Sequence, residues 1–525
     1  MKMSTDHLQN NGPDNDKAKW IDILQSITLT LFALMFIPIV TAALKYTAYF
    51  DPDLYRQEHV IFHSDSIFAN IIMFFLLYAA FFLLSRRIRT ERHEKVILLF
   101  LFLAGLLWVA VCGSTPGGDS AHVFNLASEL NHHHYEILKV PENLYYFSIY
   151  PFQLGMVMFI QLITLFVDKG GYMIEQLFNV VLLTASFHCE LSLMSLLFPD
   201  GHQRKTLSLL LLISSQAVLM CTFCYGIIPS YSFTIMAICR FVRWSKDQSA
   251  KNLILSLLFL TLAVILKQNA MIVMIAVCVI LFCMSVRQKK IRLLLYIVPF
   301  IILPVFSNRL VISYYERTCD VELGEGLNMS NWFVLGASEG PMYFGWDNAY
   351  VPQLRKQTGD NIPLMNEISE GRAKEVINGM KKDPVSALRK YHWKNTSQWA
   401  ETTYQSIWIS RVKQHLNLLG SGYRIVYDHE GTICRIMDHT AQFVYVFFLI
   451  GLLILVKRNY DHRMPEETVL AMDLFALIIM GGLIYHTFFE AKSQYILIYY
   501  LYMLPVAALG ITCLTGLIRQ YLPGK

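Results

Sequence analysis

Continuous apolar runs dominate the chain, and polar residues collect in the stretches between them. The runs show neither the alternation of a half-buried strand nor the three-to-four spacing of an amphipathic surface helix. Apolar runs of about 20 residues match the thickness of a bilayer, so they predict membrane-spanning helices. We predict twelve spans, at 20–44, 66–85, 96–112, 173–198, 207–223, 229–243, 252–266, 270–285, 291–310, 437–456, 468–486 and 495–516.

Loop charge decides the role of one more apolar run, at 150–167. If this run does not cross, the short loops on one side of the membrane hold 22 Lys and Arg residues and those on the other side hold 6. Lys and Arg in short loops collect on the cytoplasmic side, so both termini are predicted to be cytoplasmic. A crossing at 150–167 would turn the later basic loops outward. We therefore predict that this run lies at, or dips into, the outer interface.

Composition supports an all-α polytopic membrane protein. We expect it in the plasma membrane. Hydrophobic residues make up 55% of the chain, charged residues only 16%, and the mean hydropathy is +0.42. The lipid bilayer is thus the expected surrounding. The net charge of +5 is small and follows from the basic inner loops, so nucleic acid is not expected as a partner.

Four parts are predicted along the chain. Residues 1–19 form a cytoplasmic tail, 20–310 form a transmembrane bundle with the outer loop 113–172, and 437–525 form the last transmembrane helices. Between the last two, 311–436 is the only polar stretch long enough for a small domain outside the lipid. The dipeptide Asp383-Pro384 predicts a helix start, with the helix continuing to about Trp399.

The outer loop opens on a turn rich in Gly and Pro, followed by Asp119, His122 and Glu129. These three residues are separated by helical steps and could share one face of a short helix. A carboxylate placed there could meet a substrate that arrives from the lipid. Alternatively, Asp119 only caps that helix.

Metal and disulfide chemistry stay open. Three consecutive histidines at 132–134 suggest a metal, although adjacent residues rarely converge on one ion. Cys319 and Cys434 bracket the large outer segment and could form a disulfide at its base. No cofactor is certain, and a divalent metal remains possible.

Short motifs in a characteristic order resemble those of the GT-C superfamily of membrane glycosyltransferases. They are the outer-loop aspartate, the segment that starts Tyr150-Pro151, and the segment 490–495, which reads Glu-Ala-Lys-Ser-Gln-Tyr before the last span. The segments 331–336 and 345–346 and the pair Gln398-Trp399 resemble the bacterial cell-envelope branch, often Gram-positive. A GT-C-like bundle with outer juxtamembrane helices is the fold that this resemblance implies.

The resemblance implies that a sugar on a polyprenyl phosphate is transferred to an acceptor at the outer membrane face, with Asp119 acting on the acceptor hydroxyl. The acceptor would be a glycopolymer, a lipid or a protein of the envelope. The leaving phosphate needs cations, and Lys267 and Lys492 are the candidates, although Lys267 could instead reach the headgroup layer from a helix end. Supporting or substrate-binding roles are expected for His122, Glu129, Tyr150, Gln153, Asn269, Trp332, Glu490, Gln494 and Tyr495.

Two other classes of function remain open at this stage. An envelope polysaccharide polymerase or ligase would also face outward, but it could rely on other outer residues. A transporter of lipid-linked sugar should carry ionisable residues through the midplane of several spans. Few are present here, and Glu190 within the run 173–198 is expected to make a structural contact between helices.

Overall fold

The structure is a computed structural model that describes residues 13–51, 54, 58–87, 91–167, 171–415, 419, 421–461 and 464–521. Most of the predicted cytoplasmic tail, residues 1–12, lies outside the described residues. In the described part the regular elements are helices, apart from one two-stranded sheet.

Nine helical segments in the described residues are long and apolar enough to cross a membrane, which identifies a multi-pass membrane protein. Each coincides with a predicted span. They lie in α1 (Pro13–Lys45), α2 (Ile67–Arg87), α3 (Glu91–Cys112), α7 (Gly171–Leu197), α12 (Met271–Gln288), α13 with α14 (Arg292–Leu295 and Ile297–Cys319), α21 (Glu430–Asp461), α22 (Glu466–Phe488) and α23 (Leu497–Tyr521).

The three other predicted spans are helical but less regular. The run 207–223 is a pair of helices bent by 52°, α8 (His202–Ile213) and α9 (Ser215–Leu219), the second continuing as a short turn to Thr222. The runs 229–243 and 252–266 fall in α10 (Ile227–Asp247) and in α11 (Ala250–Leu266), which has 17 residues. The count of twelve therefore stays a prediction.

The run 150–167 is not a straight helix. It lies in a pair of helices that bend by 97°, α5 (Pro141–Ile149) and α6 (Leu154–Thr164), with a short 3-10 turn between them. The break falls at Tyr150 because Pro151 disfavours helical backbone in the residue before it. The 11 residues of α6 reach only about 16 Å, roughly half the thickness of the hydrocarbon core.

Polar connections at one end of the bundle carry the remaining elements. Strands β1 (Tyr46–Phe50) and β2 (Val60–Ser64) form an antiparallel hairpin in which Tyr46 pairs with Ser64. The first outer loop contains α4 (Asp119–Asn131). The long segment contains α15 (Met329–Gly336), α16 (Tyr350–Thr358), α17 (Ile362–Lys382), α18 (Pro384–Trp399), α19 (Ser406–Arg411) and α20 (Arg424–Asp428).

The start of α18 confirms the helix predicted from Asp383-Pro384. The Asp383 carboxylate accepts a hydrogen bond from the backbone N–H of Ser386, and the helix ends at Trp399. A small apolar cluster around Leu354 and Met365 holds α15, α16 and α17 together and includes Ile149 from α5.

The main core lies where α10 packs on α7 and α11, and where α21 packs on α1 and α23. Glu190 is buried there and accepts a hydrogen bond from the hydroxyl of Tyr231 on α10, which confirms a contact between helices. Arg240 on α10 donates to Asn252 on α11 at 3.2 Å. These polar contacts fix the register of helices that are otherwise held by apolar packing.

Candidate active site

Asp119 is the first residue of α4, and its side chain is exposed at the end of the bundle. Gly118 occupies the N-cap position with φ 58°, and no side chain caps the helix. The alternative that Asp119 serves as the N-cap is therefore wrong. Its carboxylate accepts a hydrogen bond from the hydroxyl of Tyr225 at 3.3 Å, and that hydroxyl accepts one from Gln153 at 2.6 Å.

Lys267 lies beside this group, in the connection between α11 and α12. Its ammonium is 4.1 Å from the centre of the Tyr225 ring and 5.5 Å from that of Tyr495, so two aromatic faces hold the cation. No carboxylate in the described part of the chain forms an ion pair with it. Burial lowers the pKa of Lys267 to about 8, although Asp119 and Glu490 act in the opposite direction.

A glycine allows the Tyr225 turn to meet the Lys267 turn. Gly226 has φ 80°, and a Cβ atom at this position would lie 2.8 Å from the backbone oxygen of Leu266. A larger residue would be strained by its backbone and would push the two turns apart. The close approach positions the Tyr225 ring under Lys267.

The connection between α22 and α23 supplies the third charged group. Lys492 pairs with Glu58, from the segment before β2, at 3.3 Å. Burial alone would lower the pKa of Lys492, but the carboxylates of Glu58 and Glu490 raise it above its ordinary value. Glu490 accepts a hydrogen bond from the hydroxyl of Tyr495 at 3.4 Å, and burial raises its pKa to about 7.

Aromatic rings form one wall of the site. His122 stacks on Tyr146 with 4.5 Å between the ring centres, and Tyr146 meets Tyr150 at 5.0 Å. Tyr150 in turn meets Trp332 of α15 at 5.7 Å. This row of rings leads from the first turn of α4 to the outer segment.

A narrow crevice lies on the other side of Lys267. Its polar lining includes Lys267, Asn269, Gln494 and Tyr495, and its apolar lining comes from Ile227 and Ile498. Asn269 also lies 3.5 Å from the ring nitrogen Nε2 of His486, which stacks on Tyr495. Ser230 of α10 also lines the crevice, so polar and apolar side chains are mixed along it.

The structure brings together eleven of the twelve residues expected at the site. Glu129 is the exception. It lies ten residues along α4 from Asp119, about 15 Å away, and its carboxylate pairs with His134 at 2.7 Å. The group therefore contains one carboxylate of the first outer loop.

Three contact residues were not found from the sequence. Tyr225 follows an apolar run as part of a turn, Glu58 precedes a strand, and Lys413 lies far along the chain, in the outer segment. Lys413 donates to the backbone oxygen of Gly117 at 2.6 Å and so holds the turn before Asp119. Burial lowers the pKa of Lys413, against the influence of Asp119. No local pattern marks these residues, because their partners are distant in sequence.

Two buried groups hold the 489–495 connection in place. The ammonium of Lys394, on α18, donates to the backbone oxygens of Gly336 at 2.6 Å and Phe489 at 2.5 Å, and burial lowers its pKa to about 7. Glu401 accepts hydrogen bonds from Ser493 at 2.6 Å and from the backbone N–H of Gln405 at 2.8 Å. The outer segment is therefore bonded directly to the loop that carries Glu490 and Lys492.

The described residues form neither the metal site nor the disulfide that the sequence suggested. Among the described residues, no group of three or more His, Cys, Asp or Glu side chains could hold a metal ion. The three histidines at 132–134 are exposed, and His132 bonds to the backbone oxygen of Ser128. Cys319 and Cys434 are free thiols, so no disulfide closes the outer segment.

The tryptophans of the outer segment mostly serve packing. Trp346 and Trp399 are fully buried, and the indole N–H of Trp346 donates to the hydroxyl of Ser397 at 2.7 Å. Neither ring can stack on a sugar. Trp332 is only half-buried and reaches Tyr150 at the aromatic wall.

Comparison of the chain with protein-family models found no match, and no curated protein sequence matches it. Arguments about its activity therefore rest on the arrangement of side chains described above.

Proposed function

We propose that the protein is a membrane glycosyltransferase that moves a sugar from a polyprenyl-phosphate donor to an envelope acceptor. The observation that carries the proposal is that Tyr225 joins one exposed carboxylate, Asp119, to the ammonium of Lys267, whose second ring contact, Tyr495, follows Lys492 by three residues. Asp119, Lys267 and Lys492 come from three separate connections between helices. Such an arrangement suits a reaction in which a hydroxyl loses a proton while a phosphate leaves.

Asp119 is the group placed to act on the acceptor. Its carboxylate is exposed, and the Tyr225 hydroxyl holds one oxygen in place at 3.3 Å. The other oxygen can accept a hydrogen bond from an acceptor hydroxyl and then take its proton. As the acceptor oxygen bonds to the anomeric carbon, the bond from that carbon to the phosphate oxygen breaks, with inversion. The electron pair leaves with the polyprenyl phosphate.

Lys267 is the principal phosphate ligand in this proposal. Its cation is held by the faces of Tyr225 and Tyr495. It can therefore donate hydrogen bonds to a phosphate oxygen while these ring contacts remain. Tyr225 contacts both groups, Asp119 through its hydroxyl and Lys267 through its ring face. Lys492 adds positive charge but stays bonded to Glu58.

The crevice beside Lys267 has a volume of only about 10 Å³, which admits a water-sized group and not an isoprenoid chain. In this proposal the donor phosphate binds the ammonium of Lys267, and the isoprenoid chain lies outside the crevice, along the apolar helices. The surrounding apolar helices are compatible with donor entry from the bilayer.

The proposal is tested by transfer of labelled sugar from polyprenyl-phosphate donors to envelope fractions, using membranes that carry the protein. Asp119→Asn keeps the size of the side chain and removes its basicity, and we expect a loss of at least about 100-fold in transfer. Asp360→Asn, an exposed carboxylate of the outer segment that pairs with Arg355, is the matched control and should transfer normally.

Two results would overturn the proposal. If Asp119→Asn transfers sugar at the normal rate and reaches the membrane at normal levels, Asp119 is not the base. If the unaltered protein transfers no sugar from any donor, an envelope polymerase or ligase, or a transporter of lipid-linked sugar, becomes the better account.

A further inference from the structure

A large cavity opens at the end of the bundle opposite the candidate site. It has a volume of about 1030 Å³ and lies between the last turns of α2, α21 and α23 and the first turns of α8. Helix α23 begins shortly after Lys492 and reaches the cavity at Ile511, about 21 Å along its axis. The cavity is therefore separate from the site around Asp119.

Positive charge dominates the polar lining of this cavity. Arg86, Lys205, Lys457 and Arg519 all line it, together with His202. Among the residues that the structure describes, Asp200 supplies the one carboxylate in the lining, and it already accepts a hydrogen bond from the backbone N–H of His202 at 3.2 Å. Basic side chains thus outnumber carboxylates in this part of the lining.

Two of these cations are gathered on one aromatic ring. The guanidinium carbon of Arg86 lies 4.3 Å from the centre of the Phe82 ring, and that of Arg519 lies 5.5 Å from it. The Phe82 ring therefore holds both guanidinium groups at this side of the cavity. A phosphate has the charge and the acceptor oxygens to bridge two guanidinium groups.

An apolar wall forms part of the cavity. It consists of Phe81, Ile454, Ile511 and Leu517, and uncharged polar side chains such as Thr206 and Thr512 lie beside it. Leu517 is more than half exposed. A soluble anion would use the basic part of the cavity and leave this wall uncovered. An acyl chain would cover it.

We infer that this cavity binds the phosphate headgroup of an anionic membrane lipid, with the acyl chains along the apolar wall. Basic cavities between helices at the cytoplasmic surface recognise such headgroups, and the loop charges predict that surface here. The inference does not depend on the reaction proposed for the opposite end.

The test is a titration of the purified full chain in detergent with dioleoyl phosphatidylglycerol or dioleoyl phosphatidylcholine, followed by native mass spectrometry. The unaltered protein should bind the anionic lipid at least about tenfold more tightly. The variant Lys205→Gln/Arg519→Gln should weaken that binding roughly 30-fold, since each basic residue contributes about 1 kcal/mol near an anionic surface.

Lys290→Gln/Arg292→Gln is the control, because these exposed residues lie in a basic loop predicted on the same side but do not line the cavity. It should bind like the unaltered protein.

The single variant Arg519→Gln, which changes one exposed side chain, is used if the double variant does not fold. Equal binding of the two lipids by the unaltered protein, or an unchanged preference in Arg519→Gln, would overturn the inference. Displacement of the lipid by millimolar inorganic phosphate would also overturn it and would assign the cavity to a soluble anion.

Discussion

At the scale of single residues, Tyr225 is the centre of the candidate site. Its hydroxyl joins Asp119 to Gln153, and its ring supports the ammonium of Lys267. One side chain therefore positions the proposed base through its polar end and the proposed phosphate ligand through its face.

Replacing Tyr225 with phenylalanine separates these two roles. We expect Tyr225→Phe to lower kcat for sugar transfer roughly tenfold or more, because a hydrogen bond to a charged group contributes about 1.5–3 kcal/mol. The KM for the donor should change little, since the ring under Lys267 remains. Steady-state transfer assays on purified protein measure both constants. Tyr314→Phe, an exposed tyrosine of α14, is the control, and a large rise in KM without a fall in kcat would contradict this division of roles.

The pH dependence of donor binding should report the charge of Lys267. Burial lowers its pKa to about 8, so the ammonium is present below that pH and is lost as the pH rises through it. Donor KM should therefore rise above pH 8. In Lys267→Arg the guanidinium keeps its proton throughout this range, and the alkaline rise should disappear. Profiles of donor KM against pH for both proteins test this prediction. An identical alkaline rise in the variant would show that another group titrates.

At the scale of elements, the site depends on connections between helices that are bonded to one another. Glu401, just after α18, accepts hydrogen bonds from Ser493 and from the backbone of Gln405. Lys394, on α18 itself, holds the backbone oxygen of Phe489. The loop that carries Glu490 and Lys492 is thus positioned by the outer segment.

Glu401→Ala should destabilise this arrangement. The substitution removes a buried acceptor and leaves buried donors without partners, a change that costs about 2–4 kcal/mol. We expect a clear fall in the midpoint of thermal unfolding in detergent, together with a loss of sugar transfer. Glu375→Ala removes an exposed carboxylate from α17 and should leave both measurements unchanged. Equal midpoints for the two variants would show that the Glu401 contacts do not support the fold.

At the scale of the whole molecule, the distribution of Lys and Arg predicts which end of the bundle faces the cytoplasm. Cysteines introduced at His133 and Lys290 should react from opposite sides of sealed cells with a membrane-impermeant thiol reagent. His133→Cys should be labelled in intact cells, and Lys290→Cys only after the membrane is opened. The unaltered chain supplies the background from its own cysteines. Labelling of Lys290→Cys in intact cells would reverse the orientation.

The bundle could be predicted from the sequence because membrane insertion depends on local hydropathy. Nine predicted spans coincide with long apolar helices, and Asp383-Pro384 marked the start of α18 for a reason confined to its first turn. The bend within 207–223 was not predicted, since apolar composition alone does not distinguish a bent pair of helices from one straight span.

The candidate site was only partly predictable. Asp119, Lys267 and Lys492 lie at the ends of apolar runs, where sequence position alone indicates a common surface. Tyr225 and Lys413 were not predicted, because their hydrogen-bond partners lie far away in the sequence. Glu129 was misplaced, since ten residues of helix move a side chain about 15 Å along the axis.

The contact between Lys267 and Tyr495 can form only late in synthesis of the chain. Asp119 and Tyr225 emerge early, whereas Tyr495 belongs to the connection before the last helix. At about 5–20 residues per second, tens of seconds separate Asp119 from Tyr495 at the ribosome. Throughout that interval the nascent chain contains Asp119 but lacks Tyr495, one of the two rings that hold the Lys267 ammonium. Partly made or truncated copies should therefore remain unable to consume lipid-linked sugar.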